Sequence, residues 1–223
     1  MTYVKASVRR PAGNPGNGIQ PKDQLVIYDV DDILSFPPRN EAGVVIEEDI
    51  VMKAGRYAIS IYLTPGTAEI SSNSDGETDA EGYTPSVKFN HPGNEQEIRE
   101  FKTNWLSKKC IVVLRYCSGK PADLIGTPCN PCKLSVSYTG SNESNTNELT
   151  FTQISKGDDI AIYRGTDTLE EPVAVVEAGA TDIDYQTDGQ YQLSAGAAKI
   201  AGVTGGSHGS VITLCLLYTS DAA

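Results

Sequence analysis

Apolar residues recur along the chain in short runs, each broken off by clusters of Gly, Pro, Asn and Asp. The runs are Leu25–Tyr28, Val44–Ile46, Tyr57–Leu63, Ser86–Phe89, Cys110–Tyr116, Leu134–Tyr138, Leu149–Ile154 and Ile160–Tyr163. They are short and rich in β-branched and aromatic residues, and turn formers bound them, which is the signature of strands. Several alternate: Tyr57, Ile59, Ile61 and Leu63 share one side, and Ala58, Ser60 and Tyr62 the other. Leu134, Val136 and Tyr138 likewise oppose Lys133, Ser135, Ser137 and Thr139. A period of two with one polar side predicts antiparallel sheets with one face on a core. The run Ile111-Val112-Val113-Leu114 does not alternate and predicts a buried strand.

One segment departs from this period. In Asn94–Lys109 the apolar residues Ile98, Phe101, Trp105 and Leu106 fall on one helical stripe. Asn94 is placed to cap the helix, and Glu97 stands at capping-box spacing from it. Glu95 and Glu97 near the start, with Lys108 and Lys109 near the end, suit the helix dipole. The prediction is a helix packed on a sheet, with Ile98, Phe101, Trp105 and Leu106 as its core face. A second departure is the polar stretch Thr64–Thr84, which reads as a long loop. Loops of that length in a compact domain are usually functional or disordered.

Past Tyr163-Arg164-Gly165-Thr166 the texture changes. Glu170-Glu171-Pro172 reads as a linker, and Val173–Leu214 is rich in Ala and Gly with weak strand signals. The expected organisation is a first domain over residues 1–169 and a β-rich unit over 170–214. Cys215–Ala223 matches, codon for codon, the in-frame translation of a transposase sequencing adapter, TGT CTC TTA TAC ACA TCT GAC GCT GCC. On that reading the natural residues end near Leu214 and the second unit is cut short. The fold class expected is therefore mainly β: an antiparallel β-sandwich or barrel with one flanking α-helix, followed by a truncated β-rich C-terminal unit.

Charge narrows the partners. The chain carries 18 basic and 29 acidic residues, a net −11. Proteins that grip nucleic acid by its phosphates need a basic face, so this balance argues against such a role. It suits a wall past which DNA must slide. No apolar stretch reaches the ~20 residues of a membrane helix, and the first residues lack a signal-peptide layout, so the expected site of synthesis is a cytoplasm.

Candidate chemistry is thin. Cys129-Asn130-Pro131-Cys132 invites a zinc or thiol-redox reading, but Cys110 and Cys117 lack ribbon spacing and a strand, not a helix, follows Cys132. Buried structural thiols account for them better. Asp29, Asp31, Asp32, Glu47, Glu48 and Asp49 could form a carboxylate cluster, but a strand-end turn and solvated charges explain them as well. Asn73, Asp75, Glu77 and Asp79 alternate like calcium-loop ligands, with the glycine misplaced and no flanking helices. His91 and His208 belong to no nucleophile, zinc or phosphate motif, and the pair Asp182 and Asp184 is generic. The expectation is no enzyme, no cofactor and no metal.

A set of ordered short motifs carries a resemblance: Val26-Ile27-Tyr28-Asp29-Val30-Asp31-Asp32-Ile33, Phe36-Pro37-Pro38-Arg39, Tyr62-Leu63-Thr64-Pro65-Gly66-Thr67, Phe89-Asn90-His91-Pro92-Gly93, Gly126-Thr127-Pro128 and Ile160-Ala161-Ile162-Tyr163-Arg164-Gly165. Over about residues 3–168 the chain resembles structural proteins of Bacteroidetes phages and prophages, a family similar to phage tail-tube subunits. The resemblance implies a β-sandwich with a flanking helix. It also implies copies of the chain in rings, usually sixfold, stacked into a tube beside other tail proteins. DNA would pass without specific binding, and the protein would reside in the virion tail after assembly in the host cytoplasm. The Thr64–Thr84 segment, with Thr64, Ser71, Asn73, Asp75, Glu77, Asp79 and Thr84, is the candidate for ring-to-ring contact, and exposed strand edges for contact within a ring. Residues Ala201–Leu214 resemble a turn-and-strand unit of phage fibre and surface proteins. That supports an alternative, a virion decoration or adhesion module binding host glycans.

Overall fold

The computed structural model describes residues 6–54 and 56–169, together with the backbone of five strands between residues 174 and 216. The chain divides into two compact units, Met1–Leu169 and Glu170–Ala223.

The first unit contains β1 (Pro21–Asp29), a 3-10 turn (Val30–Asp32), β2 (Ile33–Ser35), β3 (Val45–Ile46), β4 (Val51–Met52) and β5 (Ile59–Tyr62). After these come β6 (Glu69–Asp75), β7 (Gly82–Pro92), α1 (Gln96–Trp105), β8 (Cys110–Tyr116), β9 (Ala122–Ile125), β10 (Cys132–Gly140), β11 (Asn145–Gln153) and β12 (Ala161–Tyr163). Each apolar run of the sequence holds a strand. The unit is a mainly antiparallel β-sandwich, rolled towards a barrel, with one helix at its side.

Two layers make the sandwich. One runs β5-β1-β8-β9-β12-β3, the last pair parallel, and the other runs β10-β11-β7-β6. They meet where Cys110 of β8 pairs with Cys132 of β10, the single register pair between those strands. On the opposite side the chain after β5 laces onto β7: the amide of Thr64 donates to the carbonyl of Asn90 at 2.8 Å. β2 and β4 form a separate two-stranded ribbon.

The main core lies between the layers. Leu25, Ile27, Ile61, Leu63, Val87, Phe89, Val112, Leu114, Leu134, Leu149 and Phe151 pack there, with the Phe89 and Phe151 rings stacked 6.3 Å apart. A second core covers the outer face of β1 and β8, where Val26, Tyr28, Ile111 and Val113 meet Ile46, Ile50, Ala58, Leu124 and Tyr163. The buried strand expected at Ile111–Leu114 is found, and the neighbouring β1 shares its setting. The two strands are covered on both faces, which is why Leu25–Tyr28 and Ile111–Leu114 are unbroken apolar runs.

The helix is shorter than its pattern. It ends near Trp105, and Asn94 is not its cap: Glu95 occupies that position without a side-chain capping bond. The Asn94 side chain instead accepts from Lys102 Nζ at 2.8 Å, because Lys102 is tied from its other side to Asn147 of β11 at 2.6 Å. Asn147 is fully buried, and its amide donates to the carbonyl of Gly93. This polar bridge fixes the helix on the sheet.

In the second unit β13 (Ala174–Val176), β15 (Gly189–Leu193) and β17 (Ile212–Leu216) pair in parallel, as do β14 (Asp182–Asp184) and β16 (Gly202–Thr204). Successive strands thus alternate between two sheets, each strand of one sheet lying in a crossover of the other. The unit is β-rich, and β17 runs two residues beyond Leu214. The expected linker Glu170-Glu171-Pro172 and His208 lie outside the described residues.

Candidate assembly surface

The stretch Thr64–Thr84 is not a loop. Thr64–Thr67 is a tight turn, in which the Thr67 amide and hydroxyl both reach the Thr64 carbonyl, at 3.1 and 2.7 Å. Gly66 takes a φ of 80° there, a left-handed value that suits glycine. Glu69–Asp75 is a full strand, paired with β7 from Glu69↔Lys88 to Asp75↔Gly82. A second turn spans Gly76–Glu81, and Thr84 lies within β7 opposite Asn73.

Polar composition hid the strand, because Ser, Asn and Asp are poor strand formers in isolation. Cross-strand partners offset this. Ser71 and Ser86 share a hydroxyl hydrogen bond at 2.9 Å, and Lys88 lies 3.6 Å from Glu69. Lys156 meets Asp75 at 3.0 Å and holds its carboxyl below the usual carboxylate range. Ile70 is opposite Val87 and packs on the main core. Period two then places Glu69, Ser71, Asn73 and Asp75 together on the other face. Glu77 and Asp79 are exposed at the tip, and Asp79 adopts a φ of 70°.

β6 ends the main strand order, with β7 on one side only. The other edges are shorter or occupied. β3 has two residues, and the Asn40 side chain accepts from the amides of Val44 and Val45. Beside β5, His91 Nδ1 bonds the carbonyl of Tyr62 at 2.9 Å. Among the described residues no backbone hydrogen bond reaches the outer edge of β6. It is a seven-residue edge, polar at every position but Ile70. Natural edges left open are commonly polar and charged, which limits random pairing while allowing a matched partner.

The helix residues divide. Ile98 is buried, and Phe101 and Trp105 are half-buried against the main core with rings stacked 5.6 Å apart. Leu106, expected in the core, is 53% exposed, because the helix ends beside it and its side chain faces solvent.

Four of the six early carboxylates are drawn apart, each to its own partner. Asp29 is bound by Lys108, and Asp32 lies 3.5 Å from Arg56. Glu47 accepts from Arg164 at 2.9 Å, and Asp49 from the amide of Thr166 at 2.7 Å. Cys129 and Cys132 also part: Cys129 is exposed in a turn, while Cys132 is buried at the head of β10. Among the described residues no group of three or more His, Cys, Asp or Glu is arranged to hold a metal ion.

One constellation escaped sequence reasoning. Beneath the second core Asp167 accepts from Tyr28 at 2.6 Å and from Arg115, whose other arm donates to the carbonyl of Gly165 at 2.7 Å. The Arg115 guanidinium lies over the Tyr163 ring, 5.6 Å from its centre. Tyr163 donates to the carbonyl of Thr166 and accepts from the amide of Ile50. Burial, then the neighbouring Asp167 carboxylate, pushes the Tyr28 phenol far above its ordinary range. The network straps residues 163–167 to the sheet. Its members are spread from Tyr28 to Asp167, so no local pattern announces it.

No protein-family model matches the chain, and neither does any curated protein or solved structure.

Proposed function

We propose that the chain is a structural subunit of a tailed-phage virion, a tail-tube-like protein whose copies assemble into stacked rings that conduct DNA. The observation that carries this reading is the open β6 edge on a β-sandwich with a single flanking helix. Edge strands recruit further strands through main-chain hydrogen bonds. Joining an edge to a different surface of the next copy is a heterologous contact, which generates rings or filaments. The net charge of −11 fits a conduit that must release DNA. The motif resemblance over the first domain points the same way, and it implies a position in the virion tail with other tail proteins as neighbours.

The β6–β7 tip supplies the test. Tyr83 turns its main-chain groups to Gly157, so those of its neighbour Thr84 face Asn73, and residues 74–83 can be replaced by Asn-Gly closing on that pair without shifting the remaining ladder. The full-length parent at high concentration is expected to form rings or tubes by electron microscopy. The shortened variant should keep its circular dichroism and sediment as a monomer. Equal assembly by both proteins rules out the hairpin as the contact. A parent that stays monomeric and is retained on immobilised host glycans favours the decoration or adhesion module instead.

A further inference from the structure

We propose that Cys110 and Cys132 form a buried dithiol that closes to a disulfide, a modification site that staples the two layers of the sandwich together. This goes beyond the assembly reading and does not depend on it.

The geometry is that of a cross-strand pair. Cys110 and Cys132 are direct antiparallel partners. The bonds Val30 N–H to Lys109 and Ile154 N–H to Pro131 on either side turn the main-chain groups of the two cysteines toward each other, a pair type about 5.5 Å apart at Cα and inside the ~4.4–6.8 Å that a disulfide spans. Both side chains belong to the main core cluster and are fully buried, so they project from the same face. The Cys110 Sγ already reaches the carbonyl of Cys132 at 3.4 Å. Gly126 backs the pair: a Cβ there would stand 3.2 Å from Cys132 Sγ and 3.4 Å from the Cys110 carbonyl. The remaining described cysteines have no comparable partner. Cys117 is exposed beside Pro21, past the far end of β8, and Cys129 is exposed in a turn.

The position gives the bond its consequence. β10 is zipped to β11 along nine register pairs, but to β8 at this one alone. A covalent link there converts this narrow seam between the layers into a fixed joint. The chemistry balances with a small disulfide such as oxidised glutathione. One protein thiolate attacks it, forms a mixed disulfide and expels a glutathione thiolate. The second protein thiolate attacks the protein sulfur of that intermediate, forms the Cys110–Cys132 bond and expels the second glutathione thiolate. The two protons released by the cysteines reappear on two molecules of glutathione, and two electrons leave the protein. Burial keeps both thiols protonated, so exchange waits on opening of the seam, and the finished bond is shielded from reductant.

The test uses the full chain with Cys117, Cys129 and Cys215 changed to Ser. One sample is incubated folded with oxidised glutathione, and a second is refolded from urea in the same buffer. The refolded protein is expected to lose two hydrogens by intact mass, carry no glutathione and show no free thiol after denaturation. Its thermal midpoint should exceed that of the reduced form by roughly 5–10 °C. Slower oxidation of the folded sample is the expected mark of burial. A refolded protein that keeps both thiols, or carries only glutathione adducts, overturns the proposal. So does a disulfide form that melts at or below the reduced form, because the bond would then strain the seam.

Discussion

The phenol of Tyr28 donates to Asp167 across 139 residues of chain, and Arg115 binds the other oxygen of the same carboxylate. The carboxylate is 6% exposed and the guanidinium 28%. Removing Asp167 leaves Arg115 charged and half-buried without its partner. Asp167→Ala is expected to cost about 2–4 kcal/mol, below the full penalty for a dry ion pair because Arg115 keeps some solvent. Tyr28→Phe should cost about 1 kcal/mol. Urea unfolding of the two variants checks both, and a change under about 0.5 kcal/mol for Asp167→Ala, the range of plain surface substitutions, removes the strap from the stability account.

Three helix truncations should rank by burial. Ile98→Ala is expected to cost about 2–4 kcal/mol, since the residue is enclosed in the main core. Trp105→Ala should cost about 1–3 kcal/mol, because the ring is half-buried but stacks on Phe101 and underlies Lys108. Leu106→Ala should stay within about 0.5 kcal/mol. Chemical denaturation midpoints give the order, and a Leu106 effect as large as that of Ile98 contradicts the observed packing.

Stability should fall in alkali. Burial raises the pKa of Tyr28, Tyr116 and Cys132, and pushes that of Cys110 up to about 12. These groups hold their protons more tightly folded than unfolded. Their contribution is complete below the unfolded values, near 9 for the thiols and 10 for the phenols, and is lost as pH rises beyond them. Urea midpoints of the reduced protein should drop between pH 8 and pH 10.5, about the span over which the unfolded groups ionise. Replacing both Cys110 and Cys132 by Ala should flatten the onset of that fall near pH 9. An unchanged slope in this variant assigns the alkaline loss to other groups.

Gly126 cannot carry a side chain cheaply. Its φ of 92° disfavours any Cβ, and the space is taken by Cys132 Sγ. Gly126→Ala is expected to cost about 1–3 kcal/mol. A thermal midpoint equal to the parent's shows that the β9–β10 turn relaxes to accept the methyl group.

Strand identity was legible where burial is strong. Leu25–Tyr28 and Cys110–Tyr116 are apolar enough to name themselves, and Tyr57–Leu63 and Leu134–Tyr138 show the alternation of a half-buried sheet. β6 was missed because its stabilisation lies in β7 and Lys156, not in its own side chains. β9 was missed because Ala122–Ile125 is only four residues long and contains Asp123, which is held by Tyr116. Asn94 looked like a cap because local spacing cannot show that Lys102 draws it away. The candidate assembly segment was located by its polarity and length, but its conformation, a ladder in register with Val87 and Lys88, is a tertiary property.

The β6–β7 hairpin also constrains how this protein can change over generations. Its two strands stay in step from Glu69 and Lys88 out to Asp75 and Gly82. Inserting one residue into one strand would swap Ile70's side of the sheet with that of Ser71, but adding a matched pair beside the tip would leave every inner position as it is. Gly76–Glu81 closes the ladder as a self-contained cap that can move outward unchanged. Because hydrogen-bonded and open pairs alternate, the cap meets the same closing pair only after two added residues per strand, so relatives should differ in the reach of this arm by four residues at a time, while the distance from Ile70 to the core stays fixed.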